Sequence, residues 1–238
     1  MAASRAVPGR VVITGASRGL GLAIATRLAA TGHGVVGLSR RPPPADAAAG
    51  GIQWLACDVA DAASVRQAAA SVRQGDLPFA LINCAGIASM NLALTTPPLV
   101  MEQLLATNLL GTMHSCQSFA PLLIRRGGGR ILNLSTIAVA RALAGESVYA
   151  ASKAGVEAFS RCLARELGGF GITCNVIAPG PIATDLLRGL TEEQITAVVS
   201  QQLLPRRFGP EDVADLVELL LAPAAAMLTG QVLHVGGV

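Results

Sequence analysis

Aromatic residues make up only 3% of the 238-residue chain, and tyrosine, tryptophan and lysine occur once each, at Tyr149, Trp54 and Lys153. With 52% of residues hydrophobic, the core has to be built from Ala, Val, Leu and Ile, which favours buried parallel strands covered by helices on both faces. Histidine is nearly absent too. His33, His114 and His234 are dispersed without ligand spacing, and no metal site is expected. The five cysteines (Cys57, Cys84, Cys116, Cys162, Cys174) are odd in number and far apart, so they read as free buried thiols of a reducing, cytoplasmic compartment. No apolar run reaches about 18 uninterrupted residues, and Met1-Ala-Ala-Ser-Arg5 lacks the apolar core of a secretory signal. Neither a membrane span nor a membrane partner is expected. The net charge of +3 comes from arginines set singly or in pairs (Arg40-Arg41, Arg125-Arg126, Arg206-Arg207), which argues against a nucleic-acid partner.

These scarcities single out Tyr149-Ala-Ala-Ser-Lys153. On a helix, residues four apart share a face. An ammonium beside a phenol is expected to lower the phenol pKa from its usual value of about 10, giving a proton donor and acceptor near neutrality. The structural alternative is a half-buried Tyr with a snorkelling Lys. The solitude of both residues favours chemistry.

The rest of the chain alternates strand and helix. Arg10–Thr14 reads as a buried strand running into Gly15-Ala-Ser17-Arg18-Gly19-Leu20-Gly21 and an Ala/Leu-rich helix to Ala30. Such a turn lets backbone approach a pyrophosphate at a helix N-terminus. The next strand, Gly34–Ser39, ends in Ser39-Arg40-Arg41 before Pro42-Pro-Pro44. A carboxylate there would take the ribose 2′-hydroxyl of NAD, whereas arginine accommodates the 2′-phosphate of NADP. Arg40, with Arg18, therefore points to NADP(H), the alternative being solvated loop charges. Asp58, after the strand Ile52–Cys57, can receive an adenine amino group or bond nearby backbone amides; Val59 follows it. The strand Phe79–Asn83 leads into Cys84-Ala85-Gly86, small residues suited to a ligand's close approach. One long helix is expected from Leu99 to Leu123, interrupted by Gly111 and Pro121 and carrying Asn108, which needs partners if buried. The strand Arg130–Ser135 finishes in Ser135-Thr136, the helix Ser147–Leu167 carries the Tyr/Lys pair, and the strand Ile172–Ala178 is closed by Pro179-Gly180-Pro181. Residues 182–208, with Thr184-Asp185 and Thr191-Glu-Glu, read as an irregular substrate lid. A helix Pro210–Leu221 and a strand Gln231–Val235 complete one α/β domain over residues 1–238, a doubly wound parallel sheet of Rossmann type.

Thr14-Gly15-Ala-Ser-Arg-Gly19-Leu-Gly21, Asn83-Cys-Ala-Gly86, Asn108, Tyr149-x-x-x-Lys153 and Pro179-Gly180 together resemble, in order and spacing, the short-chain dehydrogenase/reductase family. The resemblance covers nearly the whole chain and is strongest to 3-oxoacyl thioester reductases and related carbonyl reductases. It implies that Tyr149 protonates the alkoxide oxygen as hydride leaves the nicotinamide and that Lys153 lowers the Tyr pKa and bonds the nicotinamide ribose. It also implies that Asn108 holds a proton-relay water. Gly15, Ser17, Arg18, Gly19, Leu20, Gly21, Ser39, Arg40, Asp58, Val59, Asn83, Ala85, Gly86, Pro179, Gly180, Ile182 and Thr184 would hold the cofactor. The family commonly has Ser thirteen residues before the Tyr, where this chain has Thr136. A Thr hydroxyl can donate the same hydrogen bond, and alternation along a strand lets only one of Ser135 and Thr136 face the substrate. Phe170 stands where acyl-carrier-protein reductases often have a basic residue, leaving Arg130 as the remaining docking charge.

The expected function is NADPH-dependent reduction of a ketone, such as a 3-oxoacyl thioester, free or carrier-bound. A non-catalytic nucleotide-binding module and an alcohol dehydrogenase working oxidatively are the alternatives. The resemblance also implies a homodimer or homotetramer, with Ala150, Ala151, Ala154 and Gly155 available either for close helix contact between subunits or for packing on the chain's own sheet.

Overall fold

The computed structural model describes residues 9–43, 50–184 and 191–238, so Met1–Arg5, Pro44, Asp185 and the segment 185–190 of the expected lid lie outside the described residues. Seven strands, β1 Arg10–Thr14, β2 Gly34–Ser39, β3 Gln53–Ala56, β4 Ala80–Asn83, β5 Gly129–Leu134, β6 Ile172–Ala178 and β7 Val232–His234, form one sheet in the order β3-β2-β1-β4-β5-β6-β7. Every pairing is parallel. The helices between them are α1 Gly19–Ala30, α2 Ala62–Arg73, α3 Pro98–Leu104, α4 Gly111–Arg126, α5 Ala138–Arg141, α6 Ser147–Leu167, α7 Glu192–Ser200 and α8 Pro210–Leu221.

Alternating side chains send the apolar residues of each strand to opposite faces. Val11, Ile13, Ile82 and Leu132 pack on Ile24 and Leu28 of α1 and on Val213 and Val217 of α8. Val12, Leu81 and Ile131 face the other way, onto Val65 and Val72 of α2, Phe119 and Leu123 of α4, and Leu163 of α6. Each of these fully buried side chains contributes about 1.5–3 kcal/mol, which is how a core almost without aromatics suffices. Strand order reverses between β1 and β4, and both end at one level, Thr14 opposite Asn83. That reversal opens the crevice in which this architecture binds ligands.

Three local expectations need correction. The helix expected over Leu99–Leu123 is instead α3, a π-helical turn over Leu105–Leu110, and α4. Gly111 does not break it; a Cβ there would come within 2.7 Å of Val59 Cγ2, so glycine lets the helix lie close to the loop after β3. Pro121 is accommodated inside α4. Secondly, the segment expected to be irregular contains α7, whose start is closed by a capping box in which Thr191 and Gln194 exchange side-chain and backbone bonds. Thirdly, α5 was not expected. Asp61 caps α2, accepting from Ala63 N–H at 2.8 Å. Gly155 faces Leu109 of its own chain, where a Cβ would meet Leu109 Cδ2 at 2.9 Å. All five cysteines are unpaired, and only Cys162 is exposed. Among the described residues no helix is long and apolar enough to cross a membrane.

Candidate active site

The glycine turn leaves β1 at the crevice. Gly15 has φ +69°, and its N–H is held by Leu38 O of β2 at 2.8 Å. A Cβ on Gly21 would lie 2.3 Å from Gly15 O, so the first turn of α1 can fold this closely over the loop only with glycine there. Arg18 occupies the N-cap of α1 without a side-chain cap, and the first turn carries no acidic residue. The leading N–H groups of a twelve-residue helix thus open onto the crevice, a fit for a pyrophosphate. Ser17 and Leu20 are half-buried in this turn, and Leu20 packs on the core below.

The adenosine side is less committed. Arg18 and Arg40 are exposed. The Ser39 hydroxyl turns back to donate to Arg41 O at 2.6 Å. Asp58 Oδ1 accepts from Ala60 N–H at 3.0 Å, realising the loop-stabilising alternative for one of its oxygens. Val59 is buried, and its carbonyl meets the His114 ring at 3.1 Å. The Asn83 side chain is buried inside the sheet, its amide N–H₂ donating to Asn133 Oδ1 at 2.8 Å and to Cys116 Sγ at 3.3 Å, while its main chain ends β4 at the crevice. Ala85 N–H is fixed by the Thr14 hydroxyl at 3.1 Å.

Beyond Gly86 the candidate catalytic side chains converge. A Cβ on Gly86 would lie 3.4 Å from both Asn108 Oδ1 and Lys153 Nζ, so these two groups border one small space. Asn108 is fully buried on the π-helical turn. Its amide is spent on Ile87 N–H and C=O, both at 2.9 Å, and on the Ser152 hydroxyl at 3.0 Å. Its main-chain carbonyl takes the Thr112 hydroxyl at 2.8 Å. Lys153 Nζ donates to Leu134 O at 2.8 Å, and burial lowers the ammonium pKa to about 8, against a small opposing effect of Cys84.

Tyr149 is 7% exposed on the same face of α6. Burial pushes its ionisation well up, the nearby Glu146 and Cys84 add to this, and a hydrogen bond with the Thr136 hydroxyl works against it. The expectation of a lowered phenol pKa is thereby corrected: burial of the ring dominates its neighbours, and the phenol is a protonated donor at neutral pH. Of the two hydroxyls after β5, Thr136 reaches the phenol. Ser135 is turned into the protein, donating to Glu157 Oε1 at 2.6 Å. Sequence reasoning gave no role to Glu146, although it stands three residues before Tyr149, within one helical turn.

The far wall follows β6. Pro179 O accepts from Ile137 N–H at 3.0 Å, stapling this wall to the Thr136 segment, and Gly180 follows it. Ile182 is buried and pairs with Phe208 in an isolated parallel bridge. The Thr184 hydroxyl lies 3.4 Å from Ile182 O, and a Cβ added to Gly19 would lie 3.5 Å from Thr184 Cβ, which brings Thr184 up to the glycine turn. Among the described residues no cluster of His, Cys, Asp or Glu could hold a metal ion.

Comparison with known proteins bears on the same residues. Residues 15–237 match the family described as enoyl-(acyl carrier protein) reductase. The 3-oxoacyl-(acyl-carrier-protein) reductase FabG of Escherichia coli is 34% identical over 232 residues, covering 95% of each chain. Carbonyl reductase family member 4 of Danio rerio is 37% identical over 234 residues, again with 95% of each chain covered. The solved structure of a short-chain type dehydrogenase/reductase from Mycobacterium ulcerans superposes with a TM-score of 0.88 at 27% identity, over 99% of this chain and 90% of that one. Fold, crevice and sequence agree, and the chain belongs to the short-chain dehydrogenase/reductase family of nicotinamide-dependent oxidoreductases acting on CH–OH and C=O groups.

Proposed function

We propose that the chain reduces a ketone to a secondary alcohol with NADPH, Tyr149 acting as acid and base. One observation carries the reading: a phenol kept protonated by burial stands close enough to the Thr136 hydroxyl to feel it, on the helix face that also carries the buried Lys153. The nicotinamide, when bound, supplies the hydride. As charge develops on the carbonyl oxygen, the Tyr149 hydroxyl gives it a proton and the Thr136 hydroxyl donates a hydrogen bond to it. Lys153 stabilises the phenolate left behind and bonds the nicotinamide ribose. The main-chain carbonyl of Asn108 would hold the water through which Lys153 is reprotonated. Pro179, Gly180, Ile182 and Thr184 would line the nicotinamide, and residues 191–208 would cover the substrate as part of a lid on a single domain. The reduction is tested by following NADPH oxidation across acetoacetyl thioesters, quinones, sugars and steroid ketones. Absence of turnover in every class with either dinucleotide would return the chain to the binding-module reading.

The choice of Thr136 has its own test. Thr136→Val should lower kcat about 100-fold, the effect of removing one oxyanion donor, while Ser135→Ala, whose hydroxyl serves Glu157, keeps most of it. The reverse result would transfer the role to Ser135. The choice of NADPH follows from Arg40 at the end of β2 and Arg18 at the N-cap of α1, both exposed, with Ser39 where a carboxylate would bind the ribose of NAD. Arg40→Asp should shift the NADPH-to-NADH ratio of kcat/KM about tenfold or more toward NADH, by losing a charged hydrogen bond to the 2′-phosphate. A wild-type enzyme that already prefers NADH by about tenfold would overturn the assignment.

The FabG and carbonyl reductase likenesses favour a small carbonyl compound or a carrier-bound acyl thioester as substrate. Ala151 is exposed on α6, consistent with assembly as a dimer or tetramer through that helix and α4.

A further inference from the structure

The segment that joins Thr136 to Tyr149 is fixed at several points. The short helix α5 closes on Ala142, whose N–H donates to Ala138 O at 3.0 Å and whose φ is +50°. A residue with a Cβ holds that left-handed conformation only where its surroundings impose it. Glu146 N–H donates to Leu143 O at 3.2 Å, and Asn91 N–H donates to Gly145 O at 2.8 Å, which ties this segment to the one that follows Gly86. Leu143 and Val148, with Ile87 and Ala88 of that second segment, pack on the cluster of Tyr149, Ala138 and Leu104. The surroundings of the phenol are therefore largely hydrocarbon.

Glu146 brings a charge into them. It stands at the N-cap of α6, three residues before Tyr149, yet its carboxylate makes no capping bond. Among the described residues it has no ion-pair partner either: the Arg141 guanidinium is turned to Gln201 O, and Lys153 Nζ is committed to Leu134 O. The side chain is half-buried, with neither carboxylate oxygen sealed from solvent. Burial raises the carboxyl pKa, and the Glu146 charge in turn raises that of Tyr149. A carboxylate here is unfavourable on two counts, its own desolvation and its opposition to the phenolate that proton donation leaves behind. Serine or asparagine would cap the helix, and leucine would extend the hydrocarbon wall, without either penalty. A positive charge that arrives with the substrate offsets both, by pairing the carboxylate and cancelling its field at the phenol.

We propose that Glu146 is a specificity-determining residue of the carbonyl pocket, its carboxylate pairing with an ammonium group on the substrate, so that the preferred substrates are amino ketones whose hydrocarbon frame lies along Ile87, Leu143 and Val148. The inference rests on the ketone-reductase reading and narrows it from ketones in general to cationic ones.

Isosteric ketone pairs at pH 7 test it, because exchanging a CH group for a protonated nitrogen changes the charge and barely changes the shape. kcat/KM for NADPH oxidation is measured on 1-methyl-4-piperidone against 4-methylcyclohexanone and on 5-(dimethylamino)pentan-2-one against 6-methylheptan-2-one. The wild-type enzyme should favour the amine of at least one pair by about 30-fold, the size of a hydrogen bond between charged groups. Glu146→Gln should bring that ratio close to unity, mostly through KM for the amine. Glu146→Ser, whose side chain suits the N-cap, should do the same and serves if the glutamine variant is insoluble. A purely structural role for Glu146 would alter both members of a pair alike and leave their ratio unchanged. A ratio that neither variant moves, or a wild-type enzyme that reduces both members of each pair equally well or prefers the neutral one, overturns the assignment of Glu146 and leaves the reductase reading standing. A wild-type enzyme that reduces no ketone with either dinucleotide overturns both.

Discussion

Tyr149→Phe is expected to lower turnover by at least about 1000-fold while leaving dinucleotide binding in place. The ring is buried, so Phe fills its space, and the loss is confined to the hydroxyl. No other tyrosine exists in the chain to take its part. Binding can be followed separately because the one tryptophan, Trp54, packs in the cluster that also holds Ala16 and Leu20 of the glycine turn. NADPH should therefore change Trp54 fluorescence in the variant as in the wild type. At about 100 times its Kd the dinucleotide should also stabilise either protein by about 2.7 kcal/mol, read as a rise in Tm. Retained turnover in the variant rejects the acid role of Tyr149. Lost turnover together with lost dinucleotide binding would mean that the phenol holds the crevice together rather than donating a proton.

The sheet was legible because its strands are short apolar runs with β-branched residues and turn-forming boundaries, a pattern that local chemistry enforces. Gly34–Ser39 and Ile172–Ala178 have the bounds the sequence implied. Where it failed, the cause was tertiary. Gly111 reads as a helix breaker in isolation, yet its contact with Val59 makes it a close-packing residue within a nearly continuous helix. Nothing local forecasts the π-helical turn, since what sustains it is Asn108 bonding to Ile87 and Ser152 from different parts of the chain. The same distinction divides the site. The positions of Tyr149 and Lys153 on one helical face follow from their spacing. The upward shift of the phenol and the inward turn of Asn83 and Ser135 follow from burial and distant partners, which spacing does not encode. The burial of the Gln202 amide was hidden for that reason, whereas the capping box of α7, Thr191 three residues before Gln194, is a local signal that the irregular composition of residues 182–208 masked.

Lys153 carries the second large effect, because stability and activity should respond to its removal in opposite directions. The ammonium is 5% exposed and titrates at about 8, down from 10.5 through burial, so the folded protein bears the cost of a buried charge at neutral pH. A shift of that size corresponds to about 3 kcal/mol. Lys153→Met removes the charge but leaves Leu134 O without its donor, which costs about 1–2 kcal/mol. The net expectation at pH 7 is a variant more stable by about 1–2 kcal/mol, or about 3–6 °C in Tm. Below pH 8 the lysine is charged in both folded and unfolded chains, and the penalty is complete. Between about 8 and 10.5 the folded protein releases the proton while the unfolded chain still holds it, so the wild type gains stability as pH rises and the advantage of the variant should fade. Activity should move the other way, with kcat/KM falling about 100-fold or more, since the phenolate formed by Tyr149 loses its stabilising charge and its route to a new proton. In the wild type the same ionisation predicts a reductase kcat/KM that is flat through neutral pH and falls about tenfold per pH unit above about 8. A methionine variant that is no more stable at pH 7, or whose advantage persists to pH 10.5, would mean that the buried ammonium is compensated by more than the Leu134 carbonyl. Unchanged activity in that variant would remove Lys153 from the mechanism altogether.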